Sequence, residues 1–71
     1  MNAALLGAGE AHFNLHLRTL QQLPEIKGIF IWGESASLLA PLREHNEHKV
    51  EVLTTDLDEI LARNDIFFVL N

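Results

Sequence analysis

Gly7 and Gly9 stand two residues apart, directly after the apolar run Ala3-Ala4-Leu5-Leu6 and before a stretch with helical spacing. A glycine turn between a strand and a helix can gather backbone amides around an anion. Gly7 permits the tight turn, and Gly9 removes the Cβ that would hold a phosphate away. The amides near Glu10 and Ala11 are expected to be free donors at a helix start, where the helix dipole favours negative charge. Gly7, Ala8, Gly9, Glu10 and Ala11 are therefore the candidate pyrophosphate-binding residues. Two features depart from the usual G-x-G-x-x-G pattern. Its third glycine is replaced by His12, and Glu10 brings a carboxylate beside the proposed anion.

An acid about 20 residues beyond such a loop, near the end of the next strand, bonds the ribose hydroxyls of a dinucleotide. Glu34 has that spacing, although it follows Gly33 rather than ending the strand. No Lys or Arg neighbours it, which favours NAD over NADP. His12 and His16 are four residues apart and share a helix face. The intervening residues lack the Glu of a zinc-peptidase helix, so a half-buried histidine pair is expected and no metal. His45 and His48 fit a helix end, where they complement the dipole. Trp32, Phe67 and Phe68 are expected in the core.

These residues need elements to place them. Ile29 to Trp32 and Ile66 to Leu70 are continuous apolar runs, suited to strands buried on both faces, and Val50 to Leu53 alternates. Ala3 to Leu6 lacks β-branched residues, and only its position before the glycines marks it as a strand. Phe13, Leu17, Leu20 and Leu23 give a helical face from Glu10 to Leu23, ended by Pro24. Leu38, Leu39 and Leu42 give a second from Ser35 to about Glu47, with Ser35 as N-cap and Pro41 expected to kink or divide it. A short third helix runs from Asp56 to about Arg63, opened by a capping box of Thr55 with Asp58 or Asp56 with Glu59, with Leu57, Ile60 and Leu61 inward. The order β-α-β-α-β-α-β predicts an α/β fold. It is a three-layer α/β/α, Rossmann-like half-domain with a parallel four-stranded sheet in the order 3-2-1-4.

Composition sets the outer limits. The 71 residues allow one domain, 48% of them hydrophobic, with a formal net charge of −5. The five basic residues are scattered, which gives no support for nucleic-acid binding. There is no Cys, no apolar run long enough for a membrane helix and no signal-peptide pattern at the start. A soluble, cytoplasmic chain without membrane partners is expected.

The chain resembles the N-terminal domain of the glucose–fructose oxidoreductase and inositol 2-dehydrogenase family. The resemblance lies in Leu6-Gly7-Ala8-Gly9, a helix carrying His16, and Leu23-Pro24-Glu25 before the second strand. It continues in Thr54-Thr55-Asp56-Leu57-Asp58-Glu59-Ile60-Leu61 and in Asn64-Asp65-Ile66 before the fourth strand. It implies residues 1–71 as the front part of an NAD(P)-binding domain from a nicotinamide-dependent sugar or polyol oxidoreductase. The family usually has an Asp at about Gly33, so Glu34 would substitute. Its fourth strand runs into a small-Thr-Pro turn lining the cofactor, which implies a cofactor contact for Asn71. The family's Glu-Lys-Pro motif and catalytic domain have no counterpart in these residues, so no catalytic residue is assigned and the chain alone is expected to be inactive. Alternatives are a non-catalytic Rossmann ligand-binding module, a self-associating structural module, and an S-adenosylmethionine-binding methyltransferase fragment with Glu34 on the ribose. Strand 4 would lack a neighbour, so homo-oligomers through an exposed sheet edge are expected.

Overall fold

The computed structural model describes residues 1–70; the implied contact of Asn71 lies outside them. Four parallel strands alternate with three helices: β1 (Asn2–Leu6), α1 (Phe13–Gln22), β2 (Gly28–Trp32), α2 (Ala36–His45), β3 (Val50–Thr54), α3 (Leu57–Leu61) and β4 (Ile66–Leu70). The strands form one sheet in the order β3-β2-β1-β4, as the sequence predicts. β1 pairs with β2 in unbroken register from Asn2↔Gly28 to Leu6↔Trp32. Its pairing with β4 shifts between Asn2 and Ala3, leaving Phe67 without a partner.

The two faces of the sheet are covered unequally. On one face Ala3, Leu5, Ile29 and Ile31 pack under Phe13, Leu17 and Leu20 of α1 and Leu39 of α2. On the other face Ala4 and Phe30 pack mainly against Ile60 of the five-residue α3. The small residues of β1 have a packing reason. Ala3 and Ala4 are fully buried on opposite faces of a central strand, where helix and sheet approach closely.

Several local expectations are corrected. β2 is buried along most of its length, but β4 alternates between half-buried and exposed residues because it is an edge. Phe67 is 73% exposed rather than in the core, and Trp32 is half-buried with its indole N–H donated to the Thr55 carbonyl. Leu23, Leu38 and Leu61 lie at the rims of their helix faces and are exposed. α2 runs through Pro41 as one helix. Ser35 occupies the N-cap but makes no side-chain cap, because its hydroxyl pairs with that of Ser37 at 3.0 Å. At α3, Asp56 caps the Asp58 amide, but the reciprocal half of a capping box is missing. Glu59 instead accepts from the Thr54 hydroxyl, which in turn accepts from the Asp56 amide.

Candidate functional site

The loop from Gly7 to His12 leaves the C-terminal end of β1, the strand from which the chain first crosses to β2 and beside which β4 later returns. In open α/β sheets that switch point is where ligands bind. The loop is anchored by the Trp32 carbonyl, which accepts from the amides of Gly7 at 3.0 Å and Ala8 at 3.2 Å. Gly7 and Gly9 have φ of 94° and 95°, left-handed values that L side chains rarely adopt. Both glycines are thus required by backbone conformation. A Cβ at Gly9 would also meet Leu38 Cδ2 at 2.8 Å, but that methyl is the free end of an exposed side chain, so backbone conformation is what requires glycine there.

The expectation of free amides at Glu10 and Ala11 is corrected at one of the two. The Glu10 amide donates to the Gly7 carbonyl at 2.9 Å, closing a turn. The Phe13 amide donates to the Glu10 carbonyl, and α1 begins only at Phe13, with His12 as its N-cap. The extra turn delays the helix by three residues relative to the sequence reading. Among the described residues, the amides of Ala11 and His12 donate to no backbone carbonyl. Ala8 is buried beneath the loop and is a packing residue.

Two clefts flank the start of α1. One, of about 300 Å³, is lined by Leu6, Glu10, Ala11, His12, Phe13 and His16. The other, of about 330 Å³, lies between α1 and α2 and is lined in part by Gly9, Asn14, Ser37 and Leu38. Asn14 and Ser37 were not singled out from the sequence. The signal for Ser37 was its place in the first turn of the helix after β2, beside the same loop. The rings of His12 and His16 are 6.5 Å apart and tilted by 51°. His12 is exposed and His16 half-buried, so the expected half-buried pair is corrected for His12. No group of three or more metal-ligating side chains occurs among the described residues.

Glu34 is exposed in the bend after β2 and lines neither cleft. Gly33 shows why an acid cannot stand one residue earlier. A Cβ there would lie 2.8 Å from Leu39 Cδ2 and 3.1 Å from the Ala8 Cβ, both buried. The strand end is closed to side chains, and the first acid is displaced into the loop.

Among the described residues, no helix is long and apolar enough to cross a membrane. Comparison with protein-family models, curated proteins and solved structures finds no match for the chain.

Proposed function

We propose that the chain binds a nicotinamide dinucleotide, NAD in preference to NADP, at the Gly7–Ala8–Gly9 loop. In this reading it is the cofactor-binding part of an oxidoreductase acting on sugars or polyols. The observation that carries the reading is the left-handed backbone at both glycines, positioned at the C-terminal end of β1 at the switch point of a 3-2-1-4 sheet. The residues present fit such a ligand in part. The Ala11 amide donates to no backbone carbonyl and lines the cleft at the start of α1, where it is available to a pyrophosphate. Glu34 would hold the adenosine ribose. The cofactor would supply hydride chemistry when bound, and this chain's residues would bind and orient it. Self-association through β4 belongs to the same reading, because β4 is an uncharged sheet edge among the described residues.

Calorimetric titration with NAD, NADP and S-adenosylmethionine tests it. Saturable NAD binding is expected, weaker for the other two. Gly9→Val should abolish it. That change also strains the loop, so Glu34→Ala, at an exposed loop position, serves as the second variant and should weaken NAD several-fold with the circular dichroism spectrum unchanged. A folded chain that binds NAD no better than S-adenosylmethionine would sink the dehydrogenase reading.

A further inference from the structure

We propose that His12 and His16 supply the positive charge for the phosphates of the bound nucleotide, in the cleft on the β4 side of α1, so that ligand and protons bind together. The inference rests on the nucleotide reading above.

Asn14, Arg18 and Gln21 line a groove shared with Pro41 and Leu42, so they mark the flank of α1 that faces α2. His12 and His16 fall about half a helical turn away from them. They therefore line the opposite flank. α2 packs toward β3, so in a sheet ordered β3-β2-β1-β4 that flank is the β4 side. The cleft there begins where the glycine loop ends, with Leu6 as part of its wall and Glu10 and Ala11 on its rim. The two imidazoles are spaced so that one phosphate group can reach both.

A dinucleotide-binding loop ordinarily stabilises its phosphates with the amides of a helix start. Here one of those amides is spent inside the loop and the helix begins late. No Lys or Arg compensates. Arg63 is paired with Asp65, Lys49 donates to the Leu23 carbonyl, and Arg43 lies against the Leu53 carbonyl. Arg18 lines the groove on the α2 flank, and Lys27 immediately precedes β2, at the far end of the strands. Glu10 is the one other titratable side chain lining the cleft, and it is acidic. β1 contributes only Leu6. With both imidazoles neutral the cleft carries net negative charge; with both protonated it carries net positive charge. Histidine makes that change between about pH 5 and 8. An anion binds the protonated imidazoles in preference to the neutral ones. Binding must therefore tighten as pH falls and must take up protons.

The test is calorimetric titration of the full chain with NAD at about pH 6 and about pH 8, the window of histidine ionisation. The pyrophosphate diester of NAD keeps its charge across that interval, so the ligand's own titration does not intervene. Buffers of different ionisation enthalpy report the protons taken up. The expected result is binding about fivefold or more tighter at the lower pH, with proton uptake, and loss of both effects in His12→Gln/His16→Gln. The two positions are not deeply buried, and unchanged circular dichroism establishes that the variant folds. Equal affinity at both pH values, or a pH dependence that survives the double substitution, overturns the histidine assignment and leaves the nucleotide reading standing. Absence of binding at either pH overturns both.

Discussion

Single residues decide which side chains can approach the loop. Gly33 is held free of a Cβ by Leu39 and Ala8, and that exclusion moves the candidate ribose-binding acid to Glu34. At the other end of the sheet, Arg63 and Asp65 form a two-pronged ion pair, with nitrogen–oxygen distances of 2.8 and 2.6 Å. The guanidinium carbon also sits 3.9 Å above the centre of the buried Phe30 ring. Hydrogen bonding from Arg63 holds the Asp65 carboxyl below its usual value, and the Asn2 amide adds to it. The Arg63 pKa is raised for the same reason. A depressed carboxyl pKa contributes stability that is present above the unfolded value and lost as pH falls through the folded one. Both groups are solvent-accessible, so the effect is small. Asp65→Asn is therefore expected to lower the urea midpoint slightly at neutral pH and not at all below the carboxyl range. Urea titrations of both proteins from acid to neutral pH check this. A midpoint difference that stays constant across the range would show that Asp65 acts through packing rather than charge.

Elements carry the next level of consequence. α2 contains Pro41 yet runs unbroken from Ala36 to His45. Proline removes the bond to the carbonyl four residues earlier, and here that residue is Ser37, in the exposed first turn, so only one bond at a solvent-accessible end is lost. The helix bears a cost all the same. Pro41→Ala is expected to stabilise the protein by about 1–3 kcal/mol, less about 0.4–1 kcal/mol for greater freedom of the unfolded chain. Urea unfolding measures it, and an unchanged midpoint would mean that the ring's packing in the α1–α2 groove offsets the lost bond. The sequence disclosed the number, kind and order of these elements because short apolar runs alternate with stretches of helical spacing. It disclosed the strand order because right-handed crossovers and the glycine loop leave few arrangements. The start of α1 was hidden. The turn that spends the Glu10 amide depends on the left-handed backbone at Gly7 and Gly9, and periodicity does not register it. The exposure of Leu38 and Leu61 was hidden for a related reason. Both sit beside a truly buried neighbour, Leu39 and Ile60, and a rotation of one residue in the helix face separates them.

At the scale of the molecule, the unequal covering of the sheet is the dominant fact. Two ten-residue helices protect one face, and a single five-residue helix serves the other. On that second face Leu6, Trp32, Val52 and Ile66 are only half-buried. Val69, which pairs with Ala4, is 47% exposed, and Leu61 of α3 is 59% exposed. Adjoining them is the outer edge of β4, whose unpaired backbone groups and uncharged side chains can accept another strand. β3, the opposite edge, carries the exposed Glu51 as its second residue and is protected by that charge. The net charge of −5 opposes association over a distance that salt shortens. The mass measured by light scattering is therefore expected to rise with protein concentration and with added salt. Phe67→Lys places a charge at the exposed, unpaired position of the edge strand, where it should hold the chain monomeric without touching the buried core. A monomer mass under all conditions would show that α3 and the half-buried side chains suffice to keep the second face apart. Association that persists in Phe67→Lys would place the contact elsewhere on that face, with Leu61 the next position to charge.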